Sequence, residues 1–157
     1  MRIGGTGHQG LPSRTAELVA AALHEVLARH GGSLIGVTCL AGGADQLFAR
    51  AVLDLGGNIE VIVPAERYRD GLDVDAQPGY DELFAKAIQV ERLPLVESTE
   101  EAHMAASEVL VDRSEVLVAV WDGKPARGLG GTADVVAYAR DRGVPVEVVW
   151  PEGARRD

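Results

Sequence analysis

The stretch EVLVAVW at residues 115–121 is the clearest indicator of the fold class, because it is short, continuous and rich in β-branched residues. A run of this kind predicts a strand buried on both faces, as in a parallel sheet covered by helices. Helix-period segments flank it, one opening at the capping box 98–101 and ending near residue 112, the other covering about 132–142. Because parallel strands require crossover connections, this arrangement predicts an α/β protein.

The same alternation extends through the rest of the chain. Further strands are predicted at residues 1–3, 34–39, 59–63, 92–96 and 144–150, and further helices at 13–30, 44–55 and around 80–88. With right-handed crossovers, this order gives a Rossmann-like, doubly wound, mainly parallel sheet flanked by helices. We expect one domain over residues 1–152 and a flexible C-terminal tail at 153–157.

The composition and the net charge argue against several classes of function. The chain has 157 residues and a formal charge of −9, from 24 acidic and 15 basic residues. This excess of acid opposes binding to nucleic acid or to an anionic membrane, since both draw affinity from Lys and Arg. No apolar run approaches the roughly 20 residues that a membrane span needs. Cys39 is the single cysteine, which excludes an intrachain disulfide and predicts a cytoplasmic protein.

Three strand-to-helix connections are rich in glycine, at residues 4–10, 42–45 and 128–134. Connections of this type lie at the carboxyl ends of parallel strands, where ligands bind in open α/β sheets. Glycine lets backbone N–H groups approach a phosphate, and the following helix N-terminus favours an anion. We therefore expect the three loops to converge on one phosphate, although each could instead be a tight turn.

The first loop also fits the pattern G-x-G-x-x-G, from Gly5 to Gly10. Two features argue against a nicotinamide dinucleotide site. Pro12 delays the helix beyond the third glycine, and no acidic residue ends the second strand, where a ribose-binding acid is expected.

Several polar side chains in or near these loops have two interpretations. Asp45 and Asp134 either bind ligand or favour a helix N-terminus, and Asp122 is either a site residue or a turn residue. His8 could contact phosphate or transfer a proton, or lie in solvent. Lys124 and Arg127 could clamp a phosphate. Further candidates are absent: no residues have metal-ligand spacing, and His24, His30, His103 and Cys39 are expected in surface or core roles.

Residues 64–79 form a long irregular segment that carries Arg67 beside the ligand end of the third strand. Irregular segments of this length in compact domains are often functional. We expect this segment to act as a lid or as an oligomer contact.

Taken together, the loops resemble those of the SLOG superfamily, the Rossmann-like group named for Smf/DprA and Lonely Guy proteins. The resemblance rests on GGTGH at residues 4–8, AGGADQLFA at 41–49 and GLGGTAD at 128–134, and it covers roughly residues 1–150. It implies binding of a nucleotide or nucleotide-derived ligand, often in homo-oligomers. Carried over by motif, the ligand-binding residues are Gly5, Thr6, Gly7, His8, Gly42, Gly43, Asp45, Gly130, Gly131 and Thr132, to which we add Asp122, Arg67 and Arg127.

The resemblance implies two functions. The first is a sensor or carrier that holds a nucleotide (AMP- or ADP-ribose-like) or the molybdenum cofactor, a phosphorylated pterin, as a homodimer or homotetramer. The second is a Lonely Guy-like phosphoribohydrolase acting on nucleoside 5′-monophosphates. Aligning the late glycines puts Val135 where those enzymes have a catalytic glutamate, so Asp134, one residue earlier, is the catalytic candidate.

Overall fold

A computed structural model describes residues 1–156 of the chain. These residues form six strands, β1 Arg2–Gly7, β2 Ile35–Thr38, β3 Asn58–Val63, β4 Gln89–Arg92, β5 Val116–Val120 and β6 Val146–Val149. They also form five α-helices, α1 Ser13–Ala28, α2 Ala44–Asp54, α3 Gln77–Phe84, α4 Glu100–Arg113 and α5 Thr132–Asp141. No helix among them is both long enough and apolar enough to span a bilayer.

The strands build one open, parallel sheet in the order β4-β3-β2-β1-β5-β6. The predicted Rossmann-like, doubly wound α/β fold is thereby confirmed. Chain order reverses between β1 and β5, and the crevice outside the carboxyl ends of two such strands is where open α/β sheets bind ligands. The topology therefore places the ends of β1 and β5 at the centre of any site.

Helices cover both faces of the sheet. α1 packs on α2 and α2 on α3, while α4 packs on α5; right-handed crossovers put these two groups on opposite faces. Two glycines of β1 leave room for the helices that pack on either face of this strand. A Cβ on Gly5 would collide with Phe48 of α2, and one on Gly4 would lie 2.7 Å from Leu110 of α4. The glycines of β1 thus let helices approach closely from both sides.

The prediction of the fourth strand at residues 92–96 was wrong, because β4 is Gln89–Arg92. Pro94 interrupts the apolar run from which we predicted the strand, and proline cannot donate to a strand ladder. The carbonyls of Leu95 and Val96 instead accept bonds from the backbone N–H groups of residues 66 and 67, at 2.9 and 3.1 Å. α3 correspondingly ends at Phe84, earlier than predicted.

The segment 64–79 is more ordered than its composition suggests. Two short 3-10 turns, Arg69–Gly71 and Val74–Ala76, lead directly into α3. The Arg69 guanidinium donates two hydrogen bonds of 2.7 Å to the Asp81 carboxylate, which ties the segment to α3.

The end of the described chain contacts the domain body. The backbone N–H of Arg155 donates to Thr15 Oγ1 at 2.9 Å. Part of the predicted tail, Asp157, lies outside the described residues, and the flexibility of 153–157 and the single domain over 1–152 stay predictions.

Candidate functional site

A cleft opens at the carboxyl ends of β1 and β5 and has two adjoining parts. The outer chamber, about 370 Å³, is lined chiefly by residues 6–10 and 124–133, together with Glu100, His103 and Arg156. The inner chamber, about 160 Å³, is lined chiefly by residues from the ends of β1, β2 and β3 and from α4. Both chambers share the lining residues Thr6, Gly7, Gln9, His103 and Gly130. The chambers therefore adjoin along these five residues, and we refer to this boundary as the passage.

The outer chamber is suited to an anion. Its walls carry the cationic side chains of Lys124, Arg127 and Arg156 against one carboxylate, Glu100. The first residues of α5, Thr132 and Ala133, also line it. The first N–H groups of a helix have no partner within the helix and carry a partial positive charge. Cationic side chains therefore outnumber carboxylates by three to one among the residues that line this chamber.

The loop that leads into α5 is fixed by its own contacts. Asp134 Oδ2 accepts a 3.1 Å hydrogen bond from the backbone N–H of Gly130, and the Gly131 N–H donates to the Gly128 carbonyl at 3.2 Å. Gly130 has a φ of +82°, which favours glycine. A Cβ on Gly131 would lie 2.8 Å from the Cβ of Ala126. The glycines are therefore required by the compact shape of the loop.

His8 links the two sides of the cleft floor. Its ring is 3% exposed, and its Nε2 accepts a 3.0 Å bond from the backbone N–H of Asp122. That bond assigns the proton to Nδ1, which lies 3.3 Å from Thr132 Oγ1. Burial lowers the pKa of His8, and the nearby Arg156 lowers it further. The neutral ring thus holds the start of α5 against the end of β5.

The inner chamber combines apolar side chains with a buried acid. Cys39, Leu72, Leu110 and the ring of Tyr68 line it together with Asp45, whose side chain is buried. Asp45 Oδ2 accepts a 3.1 Å bond from the backbone N–H of Ala41. Burial raises the pKa of Asp45 to about 7, an effect that the Ala41 bond partly offsets.

His103 stands between the two chambers. Its Nε2 lies 2.7 Å from Ser98 Oγ, and its ring meets the ring of Tyr68 edge to face at 5.5 Å. Burial lowers the pKa of His103, while the Glu100 carboxylate opposes this effect. The imidazole is therefore a neutral hydrogen-bonding group at the passage.

Two of the three predicted glycine loops reach the cleft. The first was predicted to start too early, because residues 4–7 pair with β5 and belong to β1, which extends beyond the strand predicted at residues 1–3. Residues 5–8 and 130–132 both line it, whereas Gly42 and Gly43 line neither chamber. Gly43, at a φ of +71°, packs directly against the backbone of Gln9, and a Cβ on Gly42 would lie 3.1 Å from the Cβ of Ala76. The second loop thus supports the first and contributes Asp45 to the inner chamber.

Other predicted site residues lie at the margin. Arg67 is exposed and pairs with Glu97 at 3.6 Å, lining neither chamber. Asp122 lies beneath the outer chamber, 3.3 Å from His8 Nε2, and Arg127 lines its wall. Within residues 1–156, no three or more His, Cys, Asp or Glu side chains converge as metal ligands.

The structure gives the hydrolase alternative little support. Asp134 is engaged with the Gly130 N–H and does not line the cleft, and Val135 is buried at 2% exposure. A catalytic role for Asp134 stays a prediction.

Sequence reasoning missed several lining residues. Arg156 follows the last strand, where no motif marks it, and His103 was expected in a surface or edge role. Tyr68 and Ser98 reach the inner chamber from the segment 64–79 and from the capping box before α4, and neither residue was predicted to bind ligand. The signal for His103 was its place in the first turn of α4, since that turn faces the carboxyl end of the sheet.

The fold and the cleft at the switch point define a Rossmann-like domain with its candidate site at the carboxyl ends of β1 and β5. The DNA processing protein A (DprA) of Helicobacter pylori, whose structure concerns single-stranded DNA binding, matches with a TM-score of 0.72 at 14% identity, over 100% of this chain and 68% of that one. DprA of Streptococcus pneumoniae matches with a TM-score of 0.67 at 14% identity over 94% of this chain. The molybdenum cofactor binding protein of Rippkaea orientalis matches with a TM-score of 0.59 at 20% identity, over 94% of this chain and 74% of that one.

The chain spans 49% of the length of the Streptococcus protein. No protein-family model matches the sequence, and no curated protein matches it either. At these identities the likenesses establish the fold, and the predicted resemblance to the SLOG superfamily is confirmed at that level.

Proposed function

We propose that the protein binds a phosphorylated nucleotide or nucleotide-derived ligand, with the phosphate in the outer chamber. The observation that carries this proposal is the meeting of three cationic side chains with the N-terminus of α5 in a chain of net charge −9. Backbone N–H groups at a helix start and neighbouring Arg side chains are the groups that bind phosphate in many proteins.

The adjoining inner chamber supports a ligand larger than free phosphate. A phosphate at α5 would lie on the outer side of the boundary at His103, and the inner chamber beyond it offers the side chains of Tyr68, Leu72 and Leu110. A sugar phosphate or a phosphorylated side arm would fit the first part, and a ring would fit the second. AMP-like or ADP-ribose-like nucleotides have this layout, and so does the molybdenum cofactor, which the Rippkaea neighbour is named for binding.

A role as carrier or sensor fits this chemistry better than turnover. Residues of the cleft bind and orient, while Asp134, the carboxylate nearest to the catalytic position of Lonely Guy enzymes, is committed to its own loop. Cytoplasmic location and assembly as a homodimer or homotetramer belong to the same proposal.

Isothermal titration calorimetry with ribose 5-phosphate, AMP and ADP-ribose tests the proposal. The matched variants are Arg156→Ala, which removes a lining cation, and Arg155→Ala, which removes its exposed neighbour outside the lining. We expect Arg156→Ala to weaken binding about tenfold or more, as loss of a charged hydrogen bond does, and Arg155→Ala to leave affinity within about twofold, as for a surface charge. Absence of binding by all three probes, or equal loss in both variants, would contradict the proposal.

A further inference from the structure

Asp45 is a buried acid that the binding of phosphate does not use. Asp45 is 7% exposed and lines the inner chamber, whereas Lys124 and Arg127 line the outer one. Asp45 Oδ2 accepts one bond, from the Ala41 N–H. A carboxylate has about four acceptor positions, so capacity remains for donors that enter the chamber.

The one hydrogen bond that Asp45 accepts does not require a carboxylate. The bond from Ala41 needs one acceptor oxygen, which an asparagine side chain would supply equally well. Burial raises the pKa of Asp45 to about 7, so the folded chain carries a cost that an amide would avoid. Groups that are costly to the fold and line a cavity are candidates for function.

The surrounding walls suit a flat ring. Tyr68 and Leu72 come from the segment after β3, and Leu110 comes from α4. The Tyr68 ring is buried and held by edge contacts to Tyr80 and His103, with centroids at 6.0 and 5.5 Å. About 160 Å³ is far more space than one buried water occupies.

Resting on the proposed function, we propose that the inner chamber binds a planar heterocycle that presents two adjacent N–H donors to the Asp45 carboxylate. This donor pair is the 2-amino-4-oxopyrimidine edge, which guanine and pterins share. A carboxylate accepts two parallel N–H bonds from such an edge. Adenine presents a ring acceptor beside its amino group and cannot make this pair.

Calorimetry on the wild-type chain compares GMP, IMP, AMP and ribose 5-phosphate. IMP is the matched probe, since it differs from GMP by the 2-amino group alone. We expect GMP to bind about tenfold or more tightly than IMP, because the hydrogen bond from the 2-amino group to the charged carboxylate is lost. AMP should also bind more weakly than GMP, because it presents a ring acceptor beside its amino group. A second titration uses a pterin that carries a 6-phosphomethyl group. If this pterin binds more tightly than GMP, the ligand of the inner chamber is a pterin. If it binds more weakly than GMP, the ligand is a guanine nucleotide.

The variant Asp45→Asn isolates the carboxylate. We expect it to bring GMP affinity down to that of IMP and to leave ribose 5-phosphate binding unchanged. Equal binding of GMP and IMP by the wild type would overturn the inference, and so would unchanged GMP affinity in a folded Asp45→Asn. Failure of ribose 5-phosphate to bind at all would instead overturn the proposed function, so the two failures are distinguishable.

Discussion

Two buried ionisable residues, Asp45 and His8, set how the stability of this fold depends on pH. Burial raises the pKa of Asp45 to about 7 and lowers the pKa of His8. Both groups therefore favour the neutral form in the folded state, and each destabilises the fold where the unfolded chain would carry the charge. The two effects act in different pH ranges and can be separated by substitution.

Asp45→Asn is expected to stabilise the fold at neutral pH. In the wild type, the unfolded chain ionises Asp45 from about pH 4, whereas the folded chain resists ionisation up to about pH 7. The free energy of unfolding should fall as pH rises through this window, by about 4 kcal/mol at most for a difference of about three pKa units. Urea denaturation between pH 4 and 8 measures it. Equal pH dependence in the wild type and the variant would contradict the burial of an ionisable group.

His8→Gln is expected to lower stability at pH 7 and to weaken the acid dependence. The variant loses the bond from the Asp122 N–H and the contact with Thr132, at a cost of about 1–2 kcal/mol. Because the pKa of His8 is lowered, the wild type loses stability as pH falls below about 6.5, the ordinary value for histidine. Thermal unfolding at pH 7 and pH 5 measures both effects. His103→Gln is the comparison variant. If the loss of stability at pH 5 disappears in His103→Gln and persists in His8→Gln, the effect belongs to His103 and the prediction for His8 is contradicted.

At the scale of single elements, the loop before α5 is the part of the structure on which phosphate binding depends. Gly131→Val should abolish binding of ribose 5-phosphate, because its Cβ would meet Ala126 at 2.8 Å and displace the loop. The fold should persist, since this loop lies outside the sheet. Gly128→Ala is the control in the same loop, where a Cβ would meet only the mobile end of Glu100 at 3.0 Å. Calorimetry and a thermal melt of both variants check this prediction, and retained affinity in Gly131→Val would refute it.

Local patterns predicted those elements whose signal lies within a few consecutive residues. β5 is continuous and apolar, α4 opens at Thr99, whose side chain accepts from the Ala102 N–H at 3.1 Å, and the late glycines precede α5. β4 was misplaced because an edge strand with polar residues has a weak pattern, and its position is set by pairing with β3.

The candidate site was less predictable than the fold, because its walls come from distant segments. The glycines of residues 5–7 and 130–131 reach the cleft, as the crossover rule implies. Asp134 turns back onto its own loop, and Arg156 enters from the far end of the chain. Which way a side chain turns depends on contacts that a single sequence does not display.

At the scale of the whole molecule, the charge distribution separates small anions from nucleic acid. The net charge is −9, and the cationic side chains of the cleft are confined to the outer chamber. We expect no saturable binding of a single-stranded oligonucleotide at physiological salt, since such binding needs a basic groove that follows the backbone. Fluorescence anisotropy measures it, with Helicobacter pylori DprA as the positive control. Micromolar affinity for the oligonucleotide would contradict this expectation.

The most direct test of the account is a crystal structure determined with ribose 5-phosphate present. We predict a phosphate within hydrogen-bonding distance of the first N–H groups of α5, with Arg156 beside it and the sugar directed toward His103. A phosphate bound elsewhere on the protein, in crystals whose α5 N-terminus is open to solvent, would contradict it.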